Sequence, residues 1–202
     1  MESTRSSSPL NDMVGQQLSG HSTMLDVQAP ASYPPGCKIG FFGEAPGEEE
    51  LHFKEGFSGK SGKLLDKAML ASGIARSEVG LTNVCKRAPD GGFDSEHFKT
   101  TFYNHTRRGK VLVVAPTPEL LDWIDLLRRE LLQHKPNVVV ACGQEALSAL
   151  CSVVGITKYR GSILDSTLVP GLKVVPILHP SFVLRKAQWQ ELYITSRILR
   201  TK

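Results

Sequence analysis

The sequence predicts an α/β protein in which a three-layer α/β/α sandwich surrounds a short, mainly parallel four-stranded sheet. Two observations favour this fold. Short apolar segments alternate along the chain with segments whose apolar residues recur at helical spacing, an order typical of parallel sheets with helices on both faces. The segment from Val138 to Cys142 is apolar at every position, as expected of a strand that is buried on both faces.

The predicted elements begin at residue 38. Strands are expected at 38–42, 79–84, 138–142 and 173–178, and 110–115 is a candidate further strand. Helices are expected at 61–72, 117–133, 144–151 and 188–199. The second of these helices has the clearest start, because Thr117 is a good cap, Pro118 fits the first helical position and Glu119 places an acid in the first turn.

We expect one domain, residues 36–202, preceded by a flexible N-terminal tail, residues 1–35. The tail is rich in Ser, Gly, Pro and Gln, shows no sustained apolar period and ends in two prolines before Gly36. A second irregular segment, 86–109, is polar, basic and aromatic. It is predicted to be a long loop or an insertion.

The composition is that of a globular protein, with 41% hydrophobic and 22% charged residues. The formal net charge of the chain is +4. The tail has one basic and three acidic residues and so carries −2, which leaves +6 on the domain. This excess suits a polyanionic partner such as DNA without requiring one. No apolar run could span a membrane and no signal peptide is recognisable, so we expect a cytoplasmic protein without a membrane partner. The four cysteines form no C-x-x-C pair, so no disulfide framework is expected.

The stretch Gly59-Lys60-Ser61 looks like the end of a phosphate-binding P-loop. That motif requires a glycine five positions before its Gly-Lys-Ser, directly after a buried strand. Lys54 stands at that position instead, and the acidic segment 48–53 does not read as a buried strand. Lysine adopts the left-handed backbone only at a cost, so a nucleoside triphosphate site is the least favoured interpretation.

Polar motifs follow three of the predicted strands. Residues 43–47 follow the first strand, Asn83 lies at the end of the second, and His179 follows the last. In open parallel sheets, ligands bind outside the carboxyl ends of the strands. The three motifs are therefore predicted to converge on one site.

Six motifs, taken in order, carry a resemblance to a known family. They are GEAPGEEE (43–50), FSGKSGKLLD (57–66), LTNVCK (81–86), PNVVVACG (136–143), RG (160–161) and HPSFVLR (179–185). With these motifs, which cover most of residues 38–185, the chain resembles the uracil-DNA glycosylase superfamily, nearest its thermophile-type (family four) branch. The resemblance implies a base-excision-repair enzyme that flips uracil or a related pyrimidine out of DNA. It would hydrolyse the N-glycosidic bond and leave an abasic site.

The resemblance also implies which residues contact the base and the DNA. Phe57 would stack on the extruded base, and the amide of Asn83 would accept from uracil N3–H and donate to O4. Ala45 would lie at the base, where other branches of the superfamily carry an aspartate. The residues expected to hold the DNA backbone or fill the gap left by the base are Gly59, Ser61, Ser181, Phe182 and Arg185.

Catalysis is expected to involve two residues. His179 would donate a hydrogen bond to the negative charge that develops on uracil O2, and it can do so as a neutral imidazole. Glu44 would orient the attacking water, with Glu48 as the second choice. The acidic block 48–50 is otherwise interpreted as a solvated helix start.

The chain departs from the family in two places. The thermophile-type branch holds a four-iron cluster on a pair of cysteines near the N-terminus and two cysteines after the asparagine motif. Here the first pair is missing and only Cys85 lies near the second, so we expect no metal and no cofactor. An insertion through 90–116 replaces the cluster-bearing loop.

Two alternatives to a monomeric, monofunctional uracil glycosylase remain open. One is a glycosylase for a modified pyrimidine such as 5-hydroxymethyluracil, since the sequence does not show what faces the C5 edge of the base. The other is a DNA-binding relative that has lost catalysis, because Ala45 lacks the carboxylate found at its position in other branches.

The cysteine pattern generates a first prediction. The purified protein should be colourless and free of iron, because four thiolates with workable spacing are not available. Iron analysis and a visible absorption spectrum test this. A charge-transfer band accompanied by stoichiometric iron would contradict it.

Overall fold

A computed structural model describes residues 27–88, 101–106, 109–114 and 118–186, and from 101 to 118 it describes the backbone alone. The predicted helix at 188–199 and residues 1–26 of the predicted tail lie outside the described residues. None of the described helices combines the length and the apolar character that crossing a bilayer requires.

The elements follow the predicted alternation. The strands are β1 (Ile39–Gly43), β2 (Val79–Asn83), β3 (Thr101–Thr106), β4 (Gly109–Val114), β5 (Val138–Cys142), β6 (Leu164–Asp165) and β7 (Lys173–Ile177). The helices are α1 (Glu48–Phe53), α2 (Lys60–Ala71), α3 (Pro118–His134), α4 (Gln144–Cys151), α5 (Ile156–Tyr159) and α6 (Pro180–Leu184), with a 3₁₀ turn at Arg76–Glu78. The predicted strands and the predicted helices that fall within the described residues are all present.

The main sheet has the strand order β2-β1-β5-β7-β6. Its first four strands are parallel, and β6 pairs antiparallel with β7 at the edge. The mainly parallel α/β sheet is confirmed, but the predicted count of four strands becomes five, because β6 has two residues and is too short to show a period in the sequence. The candidate strand at 110–115 is β4, which pairs with β3 in a separate antiparallel hairpin.

Helices cover both faces of the sheet. Successive side chains of a strand point to opposite faces, so Phe41 and Phe42 enter different cores. The core around Phe42 contains the buried faces of α3 and α4, with Leu127 and Leu147 fully buried. The core around Phe41 contains the buried face of α2, including Leu65. This arrangement is the predicted α/β/α sandwich.

A buried ion pair ties the end of β2 to α3. Lys86 is fully buried, and its Nζ lies 2.9 Å from Glu130 Oε2 on α3. The same ammonium donates to the hydroxyl of Thr82 and to the carbonyl of Asn83. Burial lowers the pKa of Lys86, and the charge and hydrogen bond of Glu130 act against that shift. Removing one partner of such a pair leaves a buried charge alone and costs about 3–5 kcal/mol.

The described residues before β1 lie against the domain. The N–H groups of Gln28 and Ala29 donate to the carbonyl of Lys86, and Ser32 forms an antiparallel bridge with Leu81 of β2. The ring of Tyr33 stacks on His134 of α3 with the ring centroids 4.1 Å apart. Isolated residues make these contacts, so no apolar period marks them in the sequence. The boundary between tail and domain at residue 35 stays a prediction. A truncation that removes residues 28–33 would remove these contacts and is expected to lower stability.

Two truncations should therefore differ in stability. Deleting residues 1–35 removes the buried Ala29, its hydrogen bond to Lys86 and the Tyr33 stacking, whereas deleting 1–26 removes none of these contacts. We expect the longer deletion to cost about 2 kcal/mol and to lower the melting temperature by about 4–8 °C relative to the shorter one. Thermal unfolding of the two proteins measures this. Equal melting temperatures would show that the segment contributes nothing to stability.

Candidate active site

Strand ends meet at one edge of the sheet and bring the predicted motifs together. The parallel register places Gly43 of β1 directly beside Asn83 of β2. On the other side of β1, the N–H of Gly143 after β5 donates to the carbonyl of Ile177 at the end of β7, two residues before His179. The motifs singled out in the sequence therefore lie at the same edge.

Gly43 lies where two of the predicted base-binding residues approach each other. A Cβ on Gly43 would lie 2.3 Å from Asn83 Oδ1 and 2.9 Å from Phe57 Cζ, so no side chain fits there without displacing them. The Phe57 and His179 rings have centroids 6.5 Å apart and planes inclined by 28°. Asn83 and Phe57 thus approach the same side of Gly43, and His179 lies next to the Phe57 ring.

The environment of His179 fixes its protonation. His179 caps α6, and its Nδ1 accepts from the backbone N–H of Ser181 at 3.1 Å, with the Ser181 hydroxyl at 2.7 Å. Because a backbone N–H can only donate, Nδ1 carries no proton, and the proton of a neutral ring sits on Nε2. Desolvation and the charge of Arg185 lower the pKa of His179 to about 4. The ring is therefore a neutral hydrogen-bond donor at physiological pH.

A buried carboxylate that the sequence did not single out holds Asn83. The side chains of Asn83 and Glu50 are both buried, and Asn83 Nδ2 donates to Glu50 Oε2 at 3.1 Å. A carboxylate only accepts, so this bond fixes which end of the Asn83 amide is oxygen. Burial raises the pKa of Glu50, and hydrogen bonds from Asn83 and the Phe57 N–H oppose that shift. The predicted solvated helix start at 48–50 is wrong for Glu50, because three adjacent acids carry no period that marks the buried one.

The same carboxylate holds the loop that carries Phe57. Glu50 Oε1 accepts from the backbone N–H of Phe57 at 2.9 Å. Phe57 is buried and has the left-handed φ of 57°, which costs a residue with a side chain about 1–2 kcal/mol. A Cβ on Gly62 would lie 1.5 Å from the Phe57 carbonyl oxygen, so α2 packs directly on this loop only because residue 62 is glycine.

The loop after β1 places the predicted Glu44 and Ala45 at the strand ends. The carbonyl of Glu44 accepts from the N–H of Cys85 at 2.9 Å, which fixes this loop on the residues after β2. Ala45 is buried in the core that contains α3 and α4. Glu44 is half-buried, whereas Glu48 is exposed on α1. The two carboxylates considered for the water thus differ in burial, and the choice of Glu44 stays a prediction.

A second carboxyl group beside the site was not predicted. Gly143 has no Cβ, but the point where a Cβ would stand lies 3.6 Å from Glu145 Oε2 and 3.5 Å from His179 Cδ2. The side chains of Glu145 and His179 therefore border the same glycine. Burial raises the pKa of Glu145. Its place in the first turn of α4, directly after β5, is the signal that could have identified it.

The residues predicted to contact DNA lie at the start of α2 and along α6 as far as its C-cap, Arg185, and the two helices pack on each other. Gly59 and Ser61 lie at the start of α2, where a Cβ on Gly59 would be 3.5–3.7 Å from side-chain atoms of Glu49. Phe182 is exposed on α6, with the Arg185 guanidinium carbon 6.0 Å from its ring centroid. Ser181 is engaged with His179, so whether it also contacts DNA stays a prediction.

The cysteines do not fit an iron–sulfur cluster. All four are free and buried, and they belong to different parts of the fold: Cys37 before β1, Cys85 after β2, Cys142 in β5 and Cys151 at the end of α4. Among the described residues no group of three or more His, Cys, Asp or Glu side chains is placed to hold a metal ion.

Comparisons with known proteins agree with the geometry. The profile of the Uracil DNA glycosylase superfamily matches residues 30–197. The chain is 35% identical over 158 residues to the Type-4 uracil-DNA glycosylase of Thermotoga maritima, covering 73% of this chain and 67% of that protein. It is 30% identical over 196 residues to that of Archaeoglobus fulgidus, covering 91% and 87%. A DNA polymerase of Bacillus phage SP01 is 26% identical over 152 residues, which is 14% of its length. The chain belongs to the uracil-DNA glycosylase superfamily.

Proposed function

We propose that the protein is a monofunctional DNA glycosylase that hydrolyses the N-glycosidic bond of uracil in DNA and leaves an abasic site. The observation that carries the proposal is the buried amide of Asn83, held in one orientation by Glu50. Phe57 approaches Gly43 beside this amide, and a neutral His179 lies next to the Phe57 ring. The two Type-4 uracil-DNA glycosylases similar to this chain support the same reaction.

Recognition of uracil rests on the amide of Asn83. Its Oδ1 would accept from uracil N3–H, and the Nδ2 hydrogen not used by Glu50 would donate to O4. Cytosine presents an acceptor at N3 and a donor at C4, so both contacts would be mismatched. Each buried polar group without a partner costs about 1–3 kcal/mol, enough in total for about a hundredfold discrimination or more.

Capture of the base requires an aromatic ring that stacks on it and a side chain that fills the space it leaves in the DNA duplex. Extrusion from a duplex costs a few kcal/mol, and stacking on an aromatic ring returns about 1–3 kcal/mol. The Phe57 ring, fixed between Gly43 and His179, would supply the stacking surface. Exposed Phe182 would enter the space left by the base, and Arg185 would contact a phosphate.

The chemical step breaks the bond between deoxyribose C1′ and uracil N1. The bonding electrons pass to the uracil ring, and the resulting charge on O2 is stabilised by the Nε2–H of His179. A water oriented by Glu44 bonds to C1′ through its oxygen and releases one proton. The uracil anion takes up one proton, so the products are neutral uracil and a sugar that carries a hydroxyl group at C1′. His179 donates a hydrogen bond and remains neutral throughout, as its lowered pKa requires.

The test is a panel of oligonucleotides that carry uracil, 5-hydroxymethyluracil, thymine or cytosine, scored for alkali-labile sites. Cleavage at uracil supports the proposal. Cleavage at 5-hydroxymethyluracil alone would replace uracil with a modified pyrimidine, and DNA binding without any cleavage would make the chain a non-catalytic relative. The monomeric state and the cytoplasmic location stay predictions.

Replacing His179 should slow the chemical step strongly without abolishing DNA binding. We expect His179→Ala to lower the single-turnover rate on uracil by about a hundredfold or more, because a transition-state donor is lost. The exposed His52 provides the control, and His52→Ala should retain the rate. The wild-type rate should show no fall attributable to His179 between pH 8 and pH 5, since the ring protonates only near its pKa of about 4. A wild-type rate for His179→Ala would refute its role.

Replacing Glu50 should weaken the choice of base. Glu50→Gln presents an amide that can donate as well as accept, so the Asn83 amide is free to turn over and to match cytosine. We expect the ratio of uracil to cytosine cleavage to fall by about tenfold or more. Glu49→Gln is the matched control, because Glu49 is exposed on the same helix. An unchanged ratio in a well-folded Glu50→Gln protein would show that Glu50 does not set the orientation.

A further inference from the structure

One arginine holds the backbone of the loop that carries Phe57. Arg76 lies in the 3₁₀ turn before β2, and its side chain is largely covered. Its Nη1 donates to the carbonyl of Phe57 at 3.2 Å, and its Nη2 donates to the carbonyl of Gly56 at 2.8 Å. Two carboxylates orient the guanidinium, Asp66 through Nη1 at 2.8 Å and Glu55 through Nη2 at 3.0 Å.

The two carbonyl contacts matter because the loop has an unfavourable backbone. Phe57 has a left-handed φ, and such a conformation persists only where the surroundings fix it. Glu50 holds the N–H of Phe57, and Arg76 holds its carbonyl and that of the preceding residue. Arg76 therefore contacts the peptide groups on both sides of the Phe57 Cα, and Glu50 holds the N–H of the first of them.

The geometry of the fork explains why this residue is arginine. A guanidinium presents several N–H donors in one rigid plane, so it can bind two adjacent carbonyls and two carboxylates together. A lysine ammonium at the same place is a point charge on a flexible stem and would not hold both carbonyls in the same way. The ion pairs with Asp66 and Glu55 are partly exposed and contribute little stability, so their main effect is on orientation.

We propose that Arg76 is a positioning residue that sets the Phe57 ring for capture of the extruded base. The inference rests on the proposed function, because it concerns the ring that would stack on uracil. Arg76 touches the loop backbone and acts through Phe57. The ring it positions approaches Gly43, where a Cβ would come within 2.9 Å of its Cζ, and its centroid lies 6.5 Å from that of His179.

The test is a double-mutant cycle on single-turnover uracil cleavage. Arg76→Met should lower the rate by about 10- to 100-fold, the effect of a misplaced binding group, and Arg76→Lys should restore only part of it. In a Phe57→Leu protein, the same Arg76→Met change should have little further effect, because the ring it positions is gone. Arg129→Met, which removes an exposed arginine from α3, is the matched control and should retain the wild-type rate.

The outcomes separate the inference from the proposed function. If the wild type cleaves uracil and Arg76→Met cleaves as fast, or if the two losses simply add in the double mutant, the positioning role is wrong. If the wild type cleaves no base in the panel, the proposed function fails and the inference fails with it. Melting temperatures of all variants accompany the rates, and where Arg76→Met does not fold, the cycle is run with Arg76→Lys.

Discussion

The buried ammonium of Lys86 is the constraint on which the edge of the sheet depends. A cation removed from water needs partners on several sides, and Lys86 has Glu130 of α3, the hydroxyl of Thr82 and the carbonyl of Asn83. Two of these partners belong to β2 and the third to α3, so satisfying one charge fixes how α3 approaches the end of β2. The amide that faces the site stands on this fixed end.

Three groups that hold the site can act only as a hydrogen-bond donor or only as an acceptor. The carboxylate of Glu50 only accepts, the guanidinium of Arg76 only donates, and the N–H of Ser181 only donates. A partner of such a group has no freedom to exchange donor and acceptor. The orientations of the Asn83 amide and the His179 ring are consequently set before a ligand arrives, which is how a site avoids reorganisation during reaction.

The sequence predicts the framework well and the supporting side chains poorly. β2 is buried along its whole length and β5 along all but its first residue, and burial leaves a clear apolar signature. Motif order places Asn83 and His179 at strand ends. Glu50 and Arg76 are found only in the structure, because a buried acid in an acidic block and an arginine in a short turn look like solvated charges. The contacts of Tyr33 likewise depend on tertiary packing, which no local period records.

The burial of the thiols has a practical consequence for measuring motion. Desolvation raises the pKa of Cys142 in the central strand, and it raises that of Cys151 at the end of α4 to about 12. An alkylating reagent attacks the thiolate, so neither residue reacts until its surroundings open to water. The rate of alkylation can be measured for each cysteine separately from peptide masses. It therefore reports local opening of the central sheet at Cys142 and of the α4 terminus at Cys151, and no probe residue has to be engineered into the chain.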